Sequence, residues 1–196
     1  MNYLMHYMLS GDDEDIIIGN YIADHIRGAA TINALPNSIK KGILLHRVID
    51  RYSDMHPAVK NSVSLLLPHL YHYAHVSVDI IYDHFLVKHW QKFCKKPLEQ
   101  RMTEFYSLLE ERFETLPIKS QKITRKLIDN DWFRMYETLE GMQKVFNGMS
   151  KRASFKSNME YTVNYLKQYY NEFDKDFLLF THDMVRFIKL HKRYDD

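Results

Sequence analysis

The stretch GILLHRVIDRYSDMH, residues 42–56, decides the fold class. Ile39 and Ile43 stand four apart, and His46, Asp50 and Asp54 repeat that spacing. At about 100° per residue, Ile39, Ile43, His46 and Asp50 fall within about 60° of one another on a helix. The segment therefore reads as a helix with two ionisable groups in line with an apolar stripe. Burying such groups costs free energy unless a metal, an opposite charge or hydrogen bonds compensate. Two readings are open at this point. Either His46 and Asp50 pair with each other or with Arg47 and Arg51, or they belong to a buried site.

The same arrangement recurs on both sides of this helix. Upstream, Asp12, Asp13, Glu14 and Asp15 form an acidic start that favours a helix N-terminus, with Gly28 as its stop. Within that span Asn20 and Asp24 are four apart and share a stripe with Ile16 and Arg27. The plain alternative is an Asp24–Arg27 surface pair, which contributes little. Downstream, VSVDIIYDHFLVKHWQKFC (76–94) reads as one long helix. Asp79 and Asp83 lie on its stripe with Leu86 and Trp90, and His84 follows about 100° round the helix. Two ionised carboxylates repel in a dry site, and a bound cation removes that penalty. A solvated face is the alternative, against which Leu86 and Trp90 weigh. His6 sits within the apolar residues 2–9 and joins these pairs as a secondary candidate.

The rest of the chain fits a helical scaffold. It has 196 residues, 45% apolar and 27% charged, which suits one folded domain with a sizeable core. Only 6 Gly and 5 Pro favour long helices over β-turns, and strand patterns are weak. Residues 29–36 read as a loop, with Asn37 or Ser38 capping the next helix and Pro57 opening the one after. The His- and Tyr-rich run 69–75 fits no closed zinc pattern and reads as a polar surface turn. Residues 98–114 form a further helix, followed by a basic face of Lys119, Lys122, Arg125 and Lys126. Tyr161, Tyr165, Tyr169, Phe173, Phe177 and Phe180 read as helix core. The expectation is an all-α, multi-helix bundle in a single domain, with active-site helices over 1–94 and scaffold and docking helices over 97–196.

Several classes are excluded. A net charge of +2 is too small to imply a nucleic-acid binder. One cysteine, Cys94, rules out an internal disulfide framework and suits a reducing compartment. The N-terminus lacks a basic and apolar leader, and no run approaches the ~20 apolar residues a membrane span needs. A cytoplasmic protein is expected, with no membrane partner. Glycine-rich phosphate loops and a G-x-S-x-G elbow are absent.

If the three helices pack together, Asn20/Asp24, His46/Asp50 and Asp79/Asp83/His84 meet in one interior site. An Asp- and His-rich, Cys-free ligand set suits Mg²⁺ or Mn²⁺ better than structural zinc. Such a cation activates water and neutralises charge on phosphoryl oxygens, which points to a metal-dependent phosphohydrolase.

Four separated segments, GNYIADHIRG (19–28), HRVIDRYSDMHP (46–57), DIIYDHFLVKHW (79–90) and FNGMSKR (146–152), together with the opening MNYLMH, resemble the acyl carrier protein phosphodiesterases. The resemblance runs in order from residue 1 to about residue 152. It implies an all-helical relative of the HD-type metal phosphohydrolases that uses Mn²⁺ or Mg²⁺. The implied reaction removes 4′-phosphopantetheine from a serine of holo acyl carrier protein. Carried onto this chain, it implies Asp24, His46, Asp50, Asp79, Asp83 and His84 as metal and catalytic groups, with His6 and Asn20 secondary. The HD dyad stands reversed here as Asp83-His84, and His46 is followed by Arg47, so the usual ligand template does not transfer. In the expected chemistry, Arg47 or Arg27 steadies the phosphoryl oxygens and His84 or His46 protonates the leaving serine oxygen. Asp54 is a further secondary candidate. Carrier proteins of this kind are acidic, so Lys40-Lys41, the 119–126 basic face and Lys151-Arg152 are docking candidates. The competing readings are an HD-like phosphohydrolase of nucleotides or other small phosphodiesters, and a non-enzymatic helical binding module. Oligomeric state is not legible in the sequence.

Overall fold

The computed structural model describes residues 3–191, and no strand occurs among them. In chain order the helices are α1 (Tyr3–Ser10), α2 (Glu14–Ile22), α3 (Ala29–Asn33), α4 (Asn37–Met55), α5 (Pro57–Leu70), α6 (Ala74–Lys88) and α7 (Trp90–Phe93). They continue with α8 (Leu98–Glu111), α9 (Ile118–Asp129), α10 (Trp132–Met135), α11 (Leu139–Ser150), α12 (Thr162–Gln168) and α13 (Tyr170–His191). The all-α expectation holds. No helix among the described residues is long and apolar enough to cross a membrane.

The chain forms two compact units, each built from separated stretches. Among the described residues, the first comprises 3–50 and 89–133, and the second comprises 51–88 and 134–191.

In the first unit, α2 starts on Asp13, whose side chain accepts from the Ile16 N–H at 3.1 Å, with Glu14 and Asp15 in its first turn. Helix α2 meets α4 backbone to backbone at Gly19 and Gly42. A Cβ on Gly19 would fall on the carbonyl oxygen of Ile39, and one on Gly42 would fall on that of Ile16. Only glycine permits this approach. It sets Asn20, next to Gly19, against the α4 turn that carries His46. Tyr7 stacks on Phe105 at 4.3 Å, and Tyr21 meets the same ring edge-on at 5.7 Å, which fastens α1 and α2 to α8. The Arg101 guanidinium lies 4.3 Å over the Tyr7 ring and donates to Asp12 at 2.8 Å. Ser120, Thr124 and Leu127 form the buried face of α9.

In the second unit, Phe173, Phe177 and Phe180 bury a stripe of α13. Tyr82 of α6 meets Phe177 edge-on at 5.5 Å, and Ser62 of α5 bonds the Tyr82 hydroxyl at 2.9 Å. Helix α5 opens as expected, with Pro57 in first position and His56 Nδ1 accepting from the Ala58 N–H at 3.2 Å. Residues 71–73 form a short turn with Tyr71 and His72 exposed, as expected for that polar run.

Four local expectations are corrected. The helix expected to reach Gly28 ends at Ile22, and Ala23–His25 form a single 3₁₀ turn. The loop 29–36 contains α3, which follows Gly28 at φ +90°. Ser38 does not cap α4 with its side chain; its hydroxyl donates to Asp15 Oδ2 at 2.7 Å. The long helix expected over 76–94 stops at Lys88, and His89, at φ −107° and ψ 14°, separates it from α7. The aromatic tail divides similarly. Tyr161 is 52% exposed because it lies in a turn behind left-handed Asn158, ahead of α12, and so is out of phase with the α13 stripe.

Candidate metal centre

The centre is built on Asn20. Its Nδ2 donates to the His6 carbonyl at 3.2 Å and to Ser10 Oγ at 2.9 Å, and Ser10 in turn donates to the His6 carbonyl at 2.8 Å. These bonds fix the amide, so Oδ1 is the atom facing the histidines. His6 Nδ1 lies 2.8 Å and His46 Nδ1 2.9 Å from that oxygen, which accepts an N–H from each ring. Asn20, His6 and His46 are 1%, 5% and 3% exposed, so water does not compete for these bonds.

One acceptor thereby sets both tautomers. With Nδ1 protonated, each Nε2 points the other way, and the rings stack at 4.2 Å. Both Nε2 atoms meet the Asp50 carboxylate, His6 at 3.2 Å from Oδ1 and His46 at 3.1 Å from Oδ2. His46 Nε2 also lies 3.3 Å from Asp24 Oδ1. The two carboxylates are the open side of the cluster, at 50% exposed for Asp50 and 41% for Asp24.

The electrostatics divide the histidines. Burial pushes His6 down, and its bond to Asp50 only partly offsets this. His46 is also buried, but Asp24 and Asp50 outweigh the desolvation and raise it to about 9. The bond to His46 holds Asp24 below the usual carboxylate range despite burial. Burial would raise Asp50, yet the two histidines hold it low. A neutral His6 therefore aims a lone pair at an ionised carboxylate oxygen. That contact becomes favourable with a proton or a cation between them.

A cation fits the donor chemistry. His6, His46 and Asp50 offer ligand atoms all within 4.8 Å of one another, the one such trio found among the described residues. Two imidazole nitrogens and a carboxylate, with an exposed side, are a donor set that could hold a metal ion and leave positions open. Asn20 holds both histidines in one orientation, the kind of support that ligand histidines need.

The other expected residues are placed as follows. Asp24 joins the cluster from the 3₁₀ turn rather than from a continuous α2, and its partner is His46, not Arg27. Arg27 and Arg47 are exposed and form no ion pair among the described residues. Asp54 is exposed and belongs to the second unit, as do Asp79, Asp83 and His84. Asp83 and His84 are 1% and 5% exposed. His84 uses both ring nitrogens: Nδ1–H donates to the Tyr136 carbonyl at 2.7 Å, and Nε2 is hydrogen-bonded to the Tyr170 hydroxyl at 2.9 Å.

Two contributors escaped the sequence reading. Ser10 stands four residues after His6, the spacing of the other pairs, and was readable on that ground. His25 bonds Ser120 Oγ at 2.9 Å across 95 residues of chain, and no local pattern signals it.

Residues 1–184 match the family model described as acyl carrier protein phosphodiesterase. The chain is similar to an acyl carrier protein phosphodiesterase of Enterobacter sp. (strain 638), 30% identical over 153 residues that cover 78% of this chain and 79% of the relative. It is also similar to proteins of that name from Yersinia pestis, 26% identical over 95% of this chain and 96% of the relative, and Photorhabdus laumondii, 29% identical over 92% and 91%. No solved structure matches the chain.

Proposed function

We propose, from the premise that this chain belongs to the acyl carrier protein phosphodiesterase family, that it hydrolyses the phosphodiester joining 4′-phosphopantetheine to a serine of holo acyl carrier protein. Water adds at phosphorus, the bond from phosphorus to the serine oxygen breaks, and the products are apo carrier protein and free 4′-phosphopantetheine. The observation that carries the reading is the pair of Nε2 atoms, locked by Asn20, converging on the Asp50 carboxylate.

His6, His46 and Asp50 would hold the cation. Two imidazoles favour Mn²⁺ over Mg²⁺, which prefers oxygen ligands and its own waters. A divalent cation there lowers the pKa of water and neutralises charge developing on the phosphoryl oxygens. Asp24 lies beside the trio, ionised and partly open, and would accept the proton of the attacking water. Arg27 and Arg47 extend from the segments carrying Asp24 and His46 and are available to the phosphoryl oxygens. We assign His84, Asp79 and Asp83 to the packing of the second unit rather than to the reaction. A cytoplasmic location fits the single, unpaired Cys94.

The test is the intact mass of holo acyl carrier protein after incubation with this protein and Mn²⁺, with an EDTA control. The expected result is a loss equal to phosphopantetheine, abolished by EDTA. Unchanged carrier protein under Mn²⁺ and Mg²⁺ alike, with hydrolysis of a small phosphodiester under the same conditions, would contradict it.

A further inference from the structure

Among the surfaces of the first unit, α9 is unusual in its two faces. Ser120, Thr124 and Leu127 turn inward, and the first two are hydrogen-bonded there: Thr124 Oγ1 to the Tyr21 hydroxyl at 2.8 Å, and Ser120 Oγ to His25 Nδ1 at 2.9 Å. Tyr21 and His25 flank Asp24 in sequence. The helix is thus fixed at two points to the segment that delivers Asp24 to the metal centre. At about 100° per residue, Ile118, Lys119, Lys122, Arg125 and Lys126 occupy a sector of about 120° on the opposite side. All five are exposed, and Ile118 is 72% exposed. None of the four cations forms an ion pair among the described residues, although Arg125 lies 4.9 Å over the Phe113 ring.

This face has the make-up of a docking surface for an acidic protein: a row of unneutralised cations around an exposed aliphatic anchor. The substrate chemistry requires such a surface beside the metal centre. The scissile bond is on the carrier's own serine, so the body of the carrier, not an extended arm, must come up to the site. The alternative basic pair in this unit is less available, because Lys40 Nζ reaches the Asn33 carbonyl at 3.4 Å.

We propose that the outward face of α9 (Ile118, Lys119, Lys122, Arg125 and Lys126) docks the acidic acyl carrier protein and holds its modified serine at the Asp24 side of the centre. The inference rests on the function proposed above.

The experiment compares the full-length protein with a Lys119→Glu/Lys122→Glu/Lys126→Glu variant, both loaded with Mn²⁺. Steady-state release of phosphopantetheine from holo carrier protein is followed at several salt concentrations. The expected result is a KM raised about tenfold or more with kcat within about twofold, and a wild-type KM that climbs with ionic strength while the variant's does not. A triple Lys→Arg variant keeps the charge and should keep the wild-type KM. Should the Glu variant lose its helical circular dichroism or its Mn²⁺ stoichiometry, the triple Lys→Gln variant replaces it, with a KM rise of the same direction. A folded, Mn²⁺-binding variant with unchanged KM overturns the docking surface. Loss of binding to anionic phospholipid vesicles with unchanged KM also overturns it, and assigns the face to membranes instead. If wild-type protein leaves holo carrier protein intact, it is the proposed function that fails, and the two failures are thereby distinguished.

Discussion

The α1–α2–α4 cluster and the His84 environment of α6 use the same kinds of side chain to opposite ends. At His84 both ring nitrogens are engaged, one donating to a backbone carbonyl and the other hydrogen-bonded to a tyrosine hydroxyl. Both of those partners are uncharged groups. At His6 and His46 the Nδ1 side goes to Asn20 Oδ1, and the Nε2 side meets carboxylates, Asp50 for His6 and both Asp50 and Asp24 for His46. Their Nε2 atoms face carboxylates about half open to solvent, a geometry that calls for a positive charge. Burial is nearly equal at the three histidines, at 5%, 3% and 5% exposed for His6, His46 and His84, so burial alone does not mark the site. What marks it is the chemistry of the second nitrogen's partner.

The strongest way to break this contrast is to remove one ligand. His46→Ala should lower kcat/KM for holo carrier protein by about 10³, since a cation contributes several kcal/mol of transition-state stabilisation. Mn²⁺ binding by calorimetry should be lost in the same variant. Equal activity in wild type and variant would move the centre elsewhere.

Next in size is the helix crossing beneath it. Gly42→Ala drives a methyl into the Ile16 carbonyl and toward the Gly19 Cα, which lies 2.8 Å from the added carbon. Overpacking of this kind costs about 1–3 kcal/mol, and backbone on both sides cannot yield. The expected outcome is a lower melting temperature together with weaker metal binding, because the same crossing aligns Asn20 with His46. A melting temperature equal to wild type would show that α2 and α4 can separate freely.

His84→Phe sharpens the other side. It leaves the Tyr136 carbonyl and the Tyr170 hydroxyl without their partner, at about 2 kcal/mol. Denaturant unfolding should report that loss, while the folded variant still binds one equivalent of the metal that wild type binds. Loss of metal with no change in stability would return His84 to the ligand set.

Asn20→Leu keeps the branched heavy-atom skeleton and removes the tautomer lock. Metal affinity should fall by about 10–100-fold, the usual cost of losing the support behind a histidine ligand. The smallest effect is one of pH. Without metal, His46 keeps its proton up to about pH 9. Coordination through Nε2 must displace that proton, so affinity should rise by about tenfold per unit as pH climbs toward that value and level off above it. Calorimetry in buffers of different ionisation enthalpy should detect release of about one proton at pH 7. An affinity that falls over this range would contradict the assigned tautomers.

The helical class and the meeting of His46 with Asp50 were legible in the sequence. His46 and Asp50 stand four apart on one helix, and helical periodicity alone brings them together. His6 was visible only as a polar residue in an apolar run, and Asn20 only as the i,i+4 companion of Asp24, because the meeting of His46 with Asn20 depends on the close approach of α2 and α4 at Gly19 and Gly42. That approach is a tertiary event with no periodic signature. The Asp79/Asp83/His84 stripe had the same spacing as the others, and the spacing could not say that Tyr136 and Tyr170, 52 and 86 residues from His84, would occupy its ring. The end of α2 was missed for a local reason. A 3₁₀ turn at Ala23–His25 still turns Asp24 toward His46, so the residue was expected in the site but by a different path.

The most direct measurement puts the two histidine environments side by side. Holo acyl carrier protein is incubated with Mn²⁺ and equal amounts of folded wild type, His46→Ala or His84→Phe, and its intact mass is read over time. The account predicts loss of the phosphopantetheine mass with wild type and His84→Phe, and none with His46→Ala. Loss with His46→Ala but not with His84→Phe would contradict it and place the chemistry on α6.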